Sequence, residues 1–142
     1  MKKIILVVVL LALGGWYAYY QYNRKNKDLK DESADVVINA PALIKAFQQD
    51  TSAANRQYVD KIVAVTGTVK KIDADGNPVV VFLGVPGEMS SVKCSMDSTH
   101  GEDYKAMKDG NNVTLKGKCT GGVTDDLFGT DVTLNYCVLQ KK

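Results

Sequence analysis

Histidine is almost missing from the 142-residue sequence, with His100 alone, and the three cysteines include no Cys-x-x-Cys pair. A structural zinc site needs four convergent nitrogen or sulfur ligands. Cys94, Cys119, Cys137 and His100 would have to meet by coincidence, so no metal and no cofactor is expected. Catalytic groupings are lacking too. His100, beside Gly101, reads as a solvated residue, and Asp125 and Asp126 have no base or nucleophile spaced to use them. The chain therefore reads as a non-enzyme. Internal repeats and low-complexity tracts are absent, and the length suits one small domain plus an appendage. Excess positive charge is lacking where it would matter. Residues 1–32 hold 6 of the 18 Lys+Arg and 3 of the 16 Asp+Glu, which leaves 12 against 13, a net of −1, from Ser33 onward. A nucleic-acid footprint normally needs a clustered basic face, so nucleic acid is not the expected partner.

What is present begins with an apolar run. From Ile4 to Asn23 no residue is charged, and the aliphatic stretch Ile4–Leu13 passes into Trp16, Tyr17, Tyr19, Tyr20 and Tyr22. Twenty residues of helix reach about 30 Å, the thickness of a bilayer's hydrocarbon core, and the aromatic rings suit its interface. An uncleaved anchor contacting the membrane through residues 4–22 is the favoured expectation. The alternative is a signal segment cleaved near Ala12-Leu13-Gly14; no cysteine follows the run, so a lipobox is excluded. Lys2 and Lys3 precede the run and Arg24, Lys25 and Lys27 follow it. Charge therefore gives little bias, and the short N-terminal arm makes N-in, C-out the default. This places the chain in the inner membrane as a single-pass protein, its C-terminal domain facing the periplasm or cell exterior.

Residues 24–38 alternate in charge and read as a solvated linker, with the folded domain at 39–142. Asn39 offers a helix N-cap ahead of Pro41, with Leu43, Ile44 and Phe47 at helical spacing. The longest strand-like run is Lys61–Asp73, where Val63, Val65, Gly67 and Val69 alternate until Lys70 and Lys71 break the phase. A long strand with a central glycine and a phase break is one that bends. Asp75-Gly76 marks a hairpin turn, since the acidic spacing around it lacks the distant glutamate of a calcium loop. Pro78–Gly84 is continuously apolar and expected to be covered on both faces, and Ser91–Met96 follows. A short helix is expected between Asp97 and Gly110, with Tyr104 and Met107 on its apolar side. Asn112–Thr120 and Asp131–Leu139 are the last two strands, separated by a loop over Thr120–Thr130. The order is mainly β and predicts a five-stranded OB-fold-like Greek-key barrel, with an N-terminal helix and a short helix between strands 3 and 4, preceded by one transmembrane helix.

The runs Tyr58-Val-Asp-Lys61, Val65-Thr-Gly-Thr-Val69, Lys108-Asp-Gly110, Val113–Cys119 and Val132–Leu139 resemble the tRNA-anti-like OB-fold family of bacterial envelope proteins, over roughly Ala40 to Leu139. The Met1-Lys-Lys-Ile-Ile start with its Tyr-rich end is similar to Bacteroidetes members. The resemblance implies the fold more than an activity. OB barrels bind ligands on the face of strands 2 and 3 and with nearby loops. Here that face would use Lys93 and the loops Asp73–Pro78 and Gly121–Thr130, with Phe128 as a contact or, alternatively, a barrel lid. Lys70 and Lys71 are the adjacent basic pair within the domain. The expectation is a membrane-anchored binding or interaction module of the envelope, for an envelope protein, a peptide or an oligosaccharide. The alternatives are a single-stranded nucleic-acid binder, which needs stacking aromatics in a positive groove, and a purely structural part.

In an oxidising compartment Cys119 and Cys137 are the favoured disulfide pair. Cys119 lies in phase with Val113 and Leu115, whereas Cys137 is out of phase with Leu134. A bulge at Asn135-Tyr136 would bring it inward. The alternative is two buried thiols, and Cys94 reads as a free core thiol in either case.

Overall fold

The computed structural model describes residues 2–22 and 28–140, with side chains over 9–20 and 28–140. Helix α1 (Lys2–Tyr22) is followed by strand β1 (Val36–Asn39), helices α2 (Ala40–Gln49) and α3 (Thr51–Tyr58), and strands β2 (Ile62–Asp73), β3 (Val80–Leu83), β4 (Ser91–Met96), β5 (Asn112–Asp125) and β6 (Gly129–Leu139). A 3-10 helix, Gly101–Ala106, links β4 to β5. Among the described residues, no helix is long and apolar enough to cross a membrane. The span expected over residues 4–22 lies partly outside the described side chains.

Strands β2 to β6 close into one mixed barrel. Antiparallel pairs join β2 to β3, β3 to β4 and β5 to β6, β4 runs parallel to β6, and β2–β5 pairing completes the ring. The expected bend in β2 is a register shift between Val69 and Lys71. Up to Thr68 β2 pairs with β5, and from Val69 with β3, so one strand serves two sides of the ring. Gly67 is explained by packing, because a Cβ there would sit 2.8 Å from the Ala40 Cβ at the start of α2.

Helix α2 begins as its sequence dictates. The Asn39 side chain accepts the Ala42 N–H at 2.8 Å, and Pro41 occupies the first turn where no N–H partner is required. Leu43 and Phe47 are fully buried and Ile44 nearly so. The Phe47 ring stacks on Tyr58, with centroids 6.1 Å apart. Asp50 ends α2 and caps α3 through the Ala53 N–H, so the polar run that reads as a weakened helix is a junction between two helices.

Three other elements differ from expectation. Residues 36–38, assigned to the linker, form most of β1, which runs parallel to β2. The linker's described part is held to the barrel as well. Leu29 is buried, and the Lys116 ammonium, on a side chain almost wholly buried, donates to the Lys30 carbonyl at 3.1 Å and to that of Glu32. The expected loop over 120–130 is mostly strand, because β5 and β6 continue their pairing to Asp125↔Gly129. Its glycines serve packing. Phe47 lies against Gly122, where a Cβ would come 2.7 Å from the ring, and Gly121 adopts φ +120°.

The Cys119–Cys137 disulfide is corrected. All three cysteines are free, buried thiols. The anticipated bulge exists, with Tyr136 at φ +56° and register shifts in both β6 pairings. It turns Cys137 inward opposite Met96 of β4 and beside the Cys94 thiol, whereas Cys119 faces Leu134. Burial raises the Cys119 pKa and pushes that of Cys137 well above the usual thiol value, the neighbouring Cys94 adding to the second effect.

Candidate binding face

Residues in register on adjacent strands share a face of the sheet. One such row crosses four strands: Lys71 of β2 opposes Phe82 of β3, Phe82 opposes Lys93 of β4, and Lys93 opposes Thr133 of β6. Its members are only half buried or exposed, while Val81, Leu83, Val92 and Cys94 of the alternate set fill the core. The row therefore lies on the barrel's outer surface, with an aromatic ring flanked by two lysines. Lys93 Nζ meets Asp131 Oδ2 at 2.7 Å, and Asp131 also accepts the Ser91 hydroxyl at 2.8 Å. The charge of Lys93 is thus neutralised locally and its stem is held beside Phe82.

The next row is Asp73, Val80 and Ser95. Beside it a pocket of about 340 Å³ is lined by Asn77, Pro78, Ser95, Met96, Ser98, Asn135 and Tyr136. The β6 bulge makes this pocket, because Tyr136 in the left-handed region joins Asn135 in its wall instead of alternating away. The face so offers a flat apolar ring, hydroxyl and amide groups, and charges of both signs. That chemistry suits stacking and hydrogen bonding to an extended ligand. Among the described residues no group of three or more His, Cys, Asp and Glu is placed to hold a metal ion.

The structure brings together two of the four sequence-proposed contacts. Lys71 and Lys93 flank Phe82. Lys70 faces elsewhere, its ammonium donating to the carbonyls of Glu88 and Ser90. Phe128 stands at the tip of the β5–β6 hairpin, 71 % exposed, away from this row and not folded back as a lid. Phe82 itself escapes the sequence reading, because the unbroken apolar run Val79–Leu83 shows no alternation to place it outside. Opposition to Lys93 across a hairpin was the available signal. His100 is not part of the face. Its Nε2 lies 2.8 Å from Asp28, whose pKa is lowered first by that hydrogen bond and then by the Lys30 N–H.

A closed five-stranded barrel with this strand order, and a helical turn between its third and fourth strands, is an OB-fold. The chain belongs to the tRNA_anti-like family, whose profile matches residues 1–135. Among solved structures it is similar to a Klebsiella pneumoniae protein provisionally described as a nucleic acid-binding lipoprotein. The two share 19 % identity at a TM-score of 0.57, over 73 % of this chain and 91 % of that one. At that identity the likeness concerns the fold. A protein from Leishmania major, provisionally described as an aspartyl-tRNA synthetase, overlaps at 10 % identity and a TM-score of 0.41, over 82 % of this chain and 22 % of that one. That overlap is too slight to bear on function. No curated protein matches the chain.

Proposed function

We propose that this chain is a non-catalytic binding module of the bacterial envelope, held in the inner membrane by residues 4–22, with its barrel on the outer side. Its ligand surface is the outer face of β3, β4 and β6. The observation that carries this reading is the Phe82 ring set in register between Lys71 and Lys93 beside the Ser95–Asn135–Tyr136 pocket. The apolar, aromatic-ended run of residues 4–22 supports the anchor. Asp131 neutralises Lys93, and Asp73 stands in the neighbouring row, so the surface suits an uncharged extended polymer, an oligosaccharide or a peptide, better than a polyanion.

Single-stranded nucleic acid is the second reading, favoured by the same ring between two lysines. Titrating fluorescent oligosaccharides, peptides and a labelled oligothymidine onto the protein at several salt concentrations separates the two. The first reading expects salt-insensitive binding of a neutral polymer, lost in Phe82→Ala. Oligothymidine binding that needs Lys71 and Lys93 and falls steeply between about 50 and 200 mM salt would replace it with the second.

A further inference from the structure

Seven large apolar side chains stay exposed beyond residue 28, and five belong to two elements that meet at Gly129 and Met89. Val85 and Met89 belong to the β3–β4 loop; Val123, Leu127 and Phe128 belong to the β5–β6 hairpin, and all but Val85 are 69 to 77 % exposed. The two elements touch, since a Cβ on Gly129 would lie 2.8 Å from Ser90 Oγ and 3.3 Å from Met89 Cβ. Ser90 Oγ also accepts the Thr130 N–H at 3.0 Å. The tip is built rather than loose. Asp125 Oδ1 accepts the N–H groups of Leu127 and Phe128 at 2.8 and 3.0 Å, and Gly129 turns the chain at φ +80°. Below it the Thr130 hydroxyl bonds Thr124 Oγ1 at 3.1 Å. Large apolar groups fixed in an exposed position lose little freedom on binding. Exposed apolar side chains gathered on touching elements and flanked by charges mark an interaction site.

The rim decides the partner. Exposed Glu88 directly precedes Met89, exposed Asp125 and Asp126 directly precede Leu127, and the Lys70 ammonium is engaged by the Glu88 and Ser90 carbonyls. A net negative rim repels phosphate backbones and anionic lipid headgroups and attracts basic side chains. The patch is also remote from where the chain leaves for α1. That segment docks at Lys116, and nine residues of β5, roughly 30 Å of strand, separate Lys116 from Asp125. We propose that this tip docks a partner protein, through a segment that presents apolar side chains flanked by lysine or arginine. Leu127 and Phe128 enter the partner's apolar surface, and Glu88 and Asp126 meet its basic flanks.

Selection of displayed random peptides on the full-length protein in detergent micelles tests this, with Leu127→Ser/Phe128→Ser as the counter-selected variant. The expected consensus is an apolar core with Lys or Arg flanks, bound at least tenfold more weakly by the double variant at an unchanged thermal midpoint. Charge reversal by Glu88→Lys/Asp126→Lys, with the apolar tip intact, should turn the flank preference acidic. Lys108→Ala, exposed on the turn after the 3-10 helix and outside both surfaces, should change nothing. An acidic consensus, no consensus, or equal binding by the double variant overturns the proposal. So does tip-dependent partition onto phosphatidylglycerol vesicles, which assigns the patch to a bilayer, or a tip-dependent dimer, which assigns it to a second copy.

Discussion

At its base the β5–β6 ribbon buries Leu115, Cys119, Leu134 and Cys137 completely, while at its tip Leu127 and Phe128 stand more than two-thirds exposed at 77 and 71 %. The same two strands, paired without leaving each other, thus pass from barrel wall to free surface. The change comes just past Gly122, which packs on Phe47 of α2: Val123 and Asp131 are the last pair flanked by β4. Inward residues at the base are enclosed by the other three strands of the barrel; toward the tip, Thr124 meets the Phe47 carbonyl of α2 and Gly129 lies against Ser90 and Met89 of the β3–β4 loop. Strand continuity therefore says nothing about burial, and stability concentrates at one end of the ribbon while exposed apolar surface gathers at the other.

The largest test of that division compares two phenylalanines on either side of it. Phe47→Ala should cost about 3–5 kcal/mol by urea denaturation, whereas Phe128→Ala should stay within about 0.5 kcal/mol. Similar costs would show that the tip is structural. A smaller effect is expected from Lys116→Met, which keeps the stem at the base and removes the charged donor. Hydrogen bonds from charged groups contribute about 1.5–3 kcal/mol, so amide exchange over residues 28–35 should rise tenfold or more while tip amides stay unchanged. Acceleration at both ends would mean that the two are not independent.

The smallest effect is that of pH. Asp28 is held below its ordinary value of 3.8, chiefly by the His100 ring, so its contribution is present above that value and lost as pH falls through the lower folded one. Exchange over residues 28–35 should quicken only below the carboxylate range, and Asp28→Asn should remove that acid response. A response already complete near neutrality would assign it to another group.

Local signals were legible in the sequence, and contacts between distant segments were not. The phase break at Lys70-Lys71 located the β2 bulge, the Asn39 side chain caps α2, and Phe47 is its anchor. The bulge near Tyr136 was readable as well, although it was inferred in order to bring Cys137 to Cys119. Its thiol partner was not, because parallel pairing with β4 puts Cys137 beside Cys94. Glycines at 121 and 122 carry a loop composition, yet the reason for Gly122 is Phe47, more than seventy residues earlier, and Gly121 turns at φ +120° against Asn55. Residues 28–35 look solvated because their restraint is a lysine 86 residues away, acting on backbone carbonyls that leave no pattern in side-chain type. Of the candidate face, Lys71 was read in its basic pair with Lys70 and Lys93 as a lone charge. The ring between them needed the register.

The clamp on residues 28–35 also sets a length. With that segment fixed by Lys116 and by Asp35, whose carboxylate accepts the Ile62 N–H, only residues 23–27 separate α1 from the barrel's own attachments. Five residues and the joins at their ends span about 20 Å at full extension. On the anchored reading the barrel is leashed, able to swivel but not to travel away from the lipid surface. Its search for a partner fixed in the same membrane is then two-dimensional, at effective concentrations of order millimolar, where a weak docking contact suffices.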